Sequence, residues 1–350
     1  VTDEPAIETT IPVAPVPSLE TTRRLLGASF DLLTRTSDEM RRASFYIGLV
    51  TLATVGPLAL ASWAIEVVSI HRTQRQMEAI LVDGGSAWLG LLASVAGFGL
   101  LVAAVESRAM AAAILGGQLA GRAVSPRASL ERSRMVFWSV IVGSIIVSVP
   151  LLIAQFALNA AASAALGDQV DVSIVTSTVA AVVIGAPLAY ILSGIVLGDV
   201  GPFEAVRRSF RVFRARKLAA ALVAVFETIA TVLVVLGLGV GLDIVLRIFG
   251  ALGLGADSGP AGLALMTLAI LAGVFALGTL IYTAYAIALA PQIVMFIGLT
   301  RATFGLERVR PGGDRDPNAV APRRRRFRWL TWPMRLGSVV GVLGLIGFLA

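Results

Sequence analysis

The chain has 350 residues, of which 57% are hydrophobic and only 15% charged, with a mean hydropathy of +0.85. Soluble domains run at about 45–50% apolar and about 25% charged, so the polar residues are too few to coat soluble domains, and disorder over most of the chain is excluded too. The absence of cysteine removes disulfide scaffolds, thiolate nucleophiles, Fe–S clusters and thiolate zinc sites. A single histidine, His71, removes most imidazole metal sites, and no cofactor is expected.

The formal net charge is +7. In a soluble protein that would suggest nucleic acid. Here the basic residues are sorted by loop, which points to anionic lipid and to membrane topogenesis, with no nucleic-acid partner. All basic residues except Lys217 are arginine. With Val1 as first residue, this bias fits a GC-rich bacterial gene using a non-standard start codon.

Residues 1–18 carry Asp3, Glu4, Glu8 and four prolines, with neither a basic nor an apolar stretch. That is not a signal peptide; it reads as a disordered tail. Apolar runs able to cross a hydrocarbon core, roughly 20 helical residues each, then follow at Phe45–Ile65, Ala87–Val105, Met135–Leu158, Val172–Leu197, Leu218–Leu242 and Gly262–Gly298. The last is long for one straight span, and Pro291 marks a kink or a membrane exit. The expected architecture is an all-α, polytopic membrane protein with six main spans over residues 19–300. A polybasic cytoplasmic linker, 301–328, leads to an apolar segment, 329–350. That segment is a seventh candidate, and its role stays open between a short span, an interfacial helix and the end of a truncated gene.

Arginine and lysine counts in the successive connecting segments are 5, 2, 5, 0, 6, 1 and 10. The alternation is complete. The positive-inside rule then puts the N-terminus, the even loops and the arginine-rich linker in the cytoplasm, across the inner membrane of a bacterial cell.

An internal repeat is visible as well. Ser125–Phe137 aligns without gaps on Gly201–Phe213, with coincidences at Pro126/Pro202, Arg132/Arg208, Ser133/Ser209, Val136/Val212 and Phe137/Phe213. Ala28–Leu33 is a fainter echo before the first span. The unit reads as a cytoplasmic amphipathic helix followed by two spans, used three times.

In the second copy, Gly201 suits an N-cap, Pro202 the first helical position and Glu204 the positive helix end. Phe203, Val206, Phe210 and Phe213 recur on one face, and Arg207, Arg208, Arg211 and Arg214 cover the other, followed by Arg216 and Lys217. This is the composition of an interfacial helix, with Phe below the headgroups and Arg among the phosphates. A purely topogenic positive cluster is the simpler reading, and the two are compatible.

The run Leu197–Lys217 resembles the signature of bacterial six-span proteins related to the membrane domain of glycerophosphoryl diester phosphodiesterases. There an acidic residue, a Gly-Pro turn and an Ala-x-Arg-Arg-Ser-aromatic helix precede the fifth span. Asp199, Gly201-Pro202, Ala205, Arg207-Arg208-Ser209 and Phe210 match it. The exit of the sixth span, Val294–Arg301, is similar to that family's aromatic-x-x-Leu-x-Arg ending. The resemblance implies a membrane part only. A phosphodiesterase would need a soluble domain with His and metal-binding carboxylates, for which this chain has no room, so no enzyme activity is implied.

Glu227 sits about ten residues into the fifth span, roughly 15 Å deep at 1.5 Å per residue. A carboxyl there is either a coupling group for protons or substrate, or a structural one, protonated or hydrogen-bonded to a hydroxyl such as that of Tyr190, Tyr282 or Tyr285. Gln155 and Asn159, four apart on one face, suit interhelix hydrogen bonds. Gly237-Leu-Gly-Val-Gly241 lies in a span without a preceding strand and is no phosphate loop. The pairs Gly237/Gly241, Gly194/Gly198 and Gly117/Gly121 read as close-packing positions. Asp243 and Arg247 suit a surface pair. Arg323–Arg326 and Arg328 suit anionic lipid, and Trp329 and Trp332 the headgroup level.

No nucleophile–base pattern or metal-ligand spacing is present in the sequence, so the expected function is non-enzymatic: lipid binding or scaffolding through interfacial helices. The alternative is a transporter or lipid-translocating protein with a midplane polar site around Glu227. The transport reading requires Glu227, Gln155 and the span tyrosines to converge on one cavity.

Overall fold

The computed structural model describes residues 22–71, 86–166, 173–251, 259–303 and 331–349. The tail 1–18, the loop with Asp168 and Asp171, and most of the polybasic linker with Trp329 lie outside the described residues. So do the side chains of His71 and Asp243, and the details of Gly237 and Gly241.

Every regular element among the described residues is helical. In chain order they are α1 (Thr22–Arg35), α2 (Ser37–His71), α3 (Ser86–Leu119), α4 (Pro126–Leu166) and α5 (Ser173–Ala180). A π-helical turn (Ala181–Gly185) leads to α6 (Ala186–Leu188) and α7 (Ile191–Gly198). Then come α8 (Pro202–Ala215), α9 (Lys217–Ala251), α10 (Gly259–Thr303) and α11 (Trp332–Leu349).

Five stretches are long and apolar enough to cross a membrane: Ser37–Ile65, Ser86–Leu119, Pro126–Ala165, Val175–Gly198 and Ala261–Gly298. The fifth expected span falls on α9, a continuous helix of 35 residues in which many side chains lie outside the described set. The apolar part of α11, Met334–Ile346, is shorter.

Two differences from the expected boundaries have local causes. The amphipathic segment at Pro126 and the third span form one helix of 41 residues, because nothing between them breaks the hydrogen-bond ladder. Pro150, inside that helix, is tolerated as prolines are in apolar spans. Gly121, expected at a packing contact, instead ends α3. Its φ of 73° is the left-handed conformation that glycine adopts without a Cβ penalty, and Arg122 N–H closes the turn on Gly117 O at 2.8 Å.

The chain divides into two compact units. One comprises Val1–Glu39, Ala109–Thr228 and Ile287–Asp314; the other comprises Met40–Arg108, Ile229–Ala286 and Arg315–Ala350. In the second, α2 meets α10 closely: a Cβ on Gly48 would touch Phe275 and Thr279, and one on Gly278 would meet Thr51 and the Gly48 backbone. Phe45 and Phe275 stack edge to face at 5.2 Å. Absent side chains thus let two helices approach, as in membrane packing generally. The same unit buries Glu106, which accepts a hydrogen bond from Tyr46 Oη at 3.0 Å. In the first unit, Leu115, Leu130, Tyr190, Ile195, Leu197 and Ile293 are fully buried.

Candidate functional site

The most organised polar region of the first unit is built where α8 lies against the fourth apolar stretch, and it begins with a proline. Pro187 has no N–H to give the preceding turn, and its ring crowds the carbonyl four residues back. The helix responds by widening. Ala186 N–H bonds to Ala181 O, five residues back, and regular α-geometry resumes only after Tyr190, whose φ/ψ of −93° and 6° lie outside the helical region. Val175–Gly198 is therefore one apolar stretch interrupted near its middle.

An interruption leaves backbone groups that must find partners. Here one side chain serves two of them: Ser209 Oγ donates to Pro187 O at 2.6 Å and accepts from Tyr190 N–H at 3.2 Å. Ser209 is fully buried and comes from α8, 22 residues on from Pro187. The helix can sit this close because its contact face is small: a Cβ on Gly194 would lie 3.3 Å from Ala205 Cβ.

The end of α7 is fastened by a second device. Asp199 takes the left-handed conformation at the C-cap, φ 50°, which Asp tolerates better than most residues. Its carboxylate accepts from Arg132 Nη1 at 2.8 Å. The same guanidinium donates from Nε to Val196 O at 2.9 Å and from Nη2 to Ile195 O at 3.3 Å. Carbonyls left over at a helix end, and the negative end of its dipole, thus meet one arginine whose side chain is only 4% exposed. Arg208, aligned with Arg132 in the repeat, packs over Gly198 at the same helix end and pairs with Glu204 at 3.5 Å. Of the motif, Asp199 thus caps α7, Gly201-Pro202 starts α8, and Ala205, Arg208 and Ser209 hold the two regions together, while Arg207 faces outward.

Around α8 the side chains fall into three sectors. Ala205 and Ser209 are buried against the unit. Phe203, 80% exposed, and Phe210, 41% exposed, form an apolar sector directed away from it, which the half-buried Val206 and Phe213 join to the buried face. Arg207, Arg211 and Arg214 form the third, all exposed. Glu204 pairs with Arg208 and, at 3.1 Å, with Arg211. Arg207, Arg214, Arg216 and Lys217 make no ion pair among the described residues. Arg216, with φ −148° and ψ 63°, ends α8 one residue before α9 begins.

The intramembrane polar candidates are brought together only in part. Glu227 accepts a hydrogen bond from Gln292 Nε2, and the hydroxyl of Tyr190 donates at 2.9 Å to Met295 Sδ, one turn along α10 from Gln292. Asn159 instead accepts from Thr176, and Gln155 makes no side-chain hydrogen bond among the described residues. Tyr282 donates to Met40 Sδ at 3.9 Å, and Tyr285 lies beneath the Arg108 guanidinium, 4.4 Å from the ring centroid. Apart from Gln155, the polar groups thus find partners in separate clusters.

Sequence reasoning missed two participants. Gln292 follows Pro291 directly and is buried; an amide there was a readable sign of a partner inside the span. Glu106 lies one residue past the expected end of the second span, but α3 continues to Leu119 and buries it. Among the described residues no group of three or more His, Asp or Glu side chains is arranged to hold a metal ion. Comparison with known proteins finds no matching family model, curated protein or solved structure.

Proposed function

We propose that the chain is a six-span, non-enzymatic protein of the bacterial inner membrane, with its N-terminus in the cytoplasm, that binds anionic lipid and organises the membrane surface through α8. It is proposed to share its membrane architecture, and no catalytic activity, with the membrane domain of glycerophosphoryl diester phosphodiesterases. In this reading α9, fifth in chain order, joins the five long apolar stretches as a span.

The three-sector surface of α8 carries the reading. A helix that buries only Ala205 and Ser209, and turns Phe203 and Phe210 outward beside three exposed arginines, suits the boundary between acyl chains and headgroups. One residue, Arg216, separates it from α9, so insertion of α9 would keep α8 at the membrane surface. Each arginine near an anionic leaflet adds roughly 1 kcal/mol.

The lack of cysteine makes single-site labelling clean. With nitroxides scanned along α8 of the full-length protein in anionic vesicles, oxygen collisions should dominate at 203, 206 and 210, and collisions with a water-soluble nickel complex at 207, 211 and 214. Nickel dominance at every position would end the interfacial reading. In intact cells, cysteines at Asp168 and Asp257 should react with an impermeant thiol reagent and one at Arg207 should not; the reverse pattern would invert the topology.

The transport alternative has one observation in its favour, the Glu227–Gln292 pair one turn along α10 from Met295, which Tyr190 of the interrupted helix reaches, since broken spans line substrate sites in many transporters. Glu227→Gln retains a hydrogen-bonding group of similar size. Under the lipid-organising reading it leaves expression and thermal stability nearly unchanged and has no flux to lose. A pH-gradient-driven flux in reconstituted vesicles that this substitution abolishes would establish transport instead.

A further inference from the structure

Ser209 belongs to the helix with the lipid-facing surface and also completes the broken backbone of the fourth apolar stretch. From this we propose that α8 is a lipid-responsive latch: anionic headgroups on Arg207, Arg211 and Arg214 seat the helix so that Ser209 closes the Pro187–Tyr190 break, and loss of those headgroups opens it. The inference rests on the lipid reading of α8 and adds how the Tyr190–Glu227–Gln292 site is regulated.

The geometry argues for a link. Arg207 and Arg211 project from α8 on the side opposite Ser209, so movement of this short helix at the headgroups moves the serine with it. Ser209 Oγ occupies both a freed carbonyl and a freed amide, at 2.6 Å and 3.2 Å. Withdrawal of one hydroxyl therefore strands two backbone groups at once, which makes the break sensitive to the position of α8. The amide it holds belongs to Tyr190, whose hydroxyl donates to Met295 Sδ, one turn along α10 from Gln292, the residue that bonds Glu227. A shift at the Tyr190 backbone is thereby carried to the site. α8 also packs on this region through Ala205 and Arg208 at Gly194 and Gly198, contacts that bear on the spacing of the helices, while Pro187 O and Tyr190 N–H both bond to Ser209. An interrupted helix closed by a removable partner is the kind of two-state element a ligand can bias.

The test is hydrogen exchange of the full-length protein in phosphatidylcholine nanodiscs with and without phosphatidylglycerol, read on a peptide covering residues 187–193. In the wild type, phosphatidylglycerol should slow exchange there by about tenfold. Ser209→Ala should exchange fast in both lipids, and Ser209→Thr, which keeps the hydroxyl, should restore the lipid dependence. The nitroxide scan of α8, run on the same samples, separates two failures. If α8 seats in phosphatidylglycerol but wild-type exchange at 187–193 does not change, the latch is wrong and the lipid reading stands. If α8 shows no preference for phosphatidylglycerol, the lipid reading falls and the latch with it. Should Ser209→Ala not fold, the wild-type comparison and Ser209→Thr still decide, because lipid dependence lost in Ser209→Thr or absent in the wild type overturns the latch.

Discussion

The first turns of α4 and the whole of α8 are two versions of one sequence pattern put to different uses. Both helices begin at a proline, Pro126 and Pro202. Both bury the same register positions: Ser129 and Ser133 in α4, Ala205 and Ser209 in α8. α1, which starts in step with them, buries Leu25 and Ser29. The rest of the circumference differs. Where α8 turns Phe203 and Phe210 outward, α4 has Arg127 and Arg134, and where α8 has half-buried Val206, α4 has fully buried Leu130. The aligned arginines diverge most: the Arg132 side chain is 4% exposed and that of Arg208 31%. One copy is drawn into the unit as a clamp on α7, and the other keeps most of its surface outside. A shared buried stripe therefore fixes how such helices dock, and the remaining positions decide what each does after docking.

The contrast is sharpest at the arginines, and the largest expected effect follows from it. Arg132→Gln keeps some hydrogen-bonding capacity but loses the charge, and it cannot reach Asp199, Val196 O and Ile195 O together. Breaking a buried pair costs about 3–5 kcal/mol. Asp199 is partly exposed and can rehydrate, so a loss of about 3 kcal/mol is expected. A denaturant or thermal melt in detergent should show a clear fall in midpoint. A change below about 1 kcal/mol would mean that the end of α7 does not depend on this clamp.

The next effect tests the docking stripe. Gly194→Val places branched carbons where Ala205 already lies, with its Cβ 3.3 Å and its backbone Cα 3.5 Å from the new Cβ. Backbone cannot rotate aside as a side chain does, so α8 must shift or the stability must fall by about 2 kcal/mol. At Gly198 the obstruction is the far end of the Arg208 side chain. Gly198→Ala should accordingly cost less than Gly194→Val in the same melt. Equal costs would show that α8 is held by more than its small-residue face.

Five of the six expected apolar stretches are long helices able to cross a membrane, and they were legible because apolar length is a local property; the arginine alternation gave an expected orientation for the same reason. The apolar and basic faces of Gly201–Lys217 were legible too, since helical period alone sorts Phe203, Val206 and Phe210 from Arg207, Arg211 and Arg214, whereas the buried sector of Ala205 and Ser209 was not. What stayed hidden depended on partners distant in the chain. Asp199 and Arg132 both stood out as motif residues, but nothing in their spacing said that they meet across 67 positions. The break at Pro187 was masked by an apolar run that continues through it. Ser209 read as a motif letter because its partners are backbone atoms, which a sequence does not distinguish. Glu227 was found by its charge, whereas its donor, Gln292, is neutral and 65 residues away. Glu106 was missed because a span was ended at Val105 on composition, although its partner Tyr46 was in plain view 60 residues earlier.

The smallest expected effect completes the arginine comparison. Arg208 pairs with Glu204 at 3.5 Å, with the two side chains 31% and 40% exposed. An ion pair so open to solvent contributes between nothing and about 1 kcal/mol. Arg208→Gln leaves no buried charge behind, because Glu204 keeps Arg211 at 3.1 Å and can hydrate. The expected cost is therefore about 0.5 kcal/mol, several times less than at the aligned Arg132. Melts of the two single variants and the double variant in one detergent give the answer directly. Additive costs, small at 208 and large at 132, fit one clamp beside one surface residue. If Arg208→Gln costs as much as Arg132→Gln, or if the double variant loses no more than either single one, the two arginines act on α7 as a unit, and the division of labour between the two copies fails.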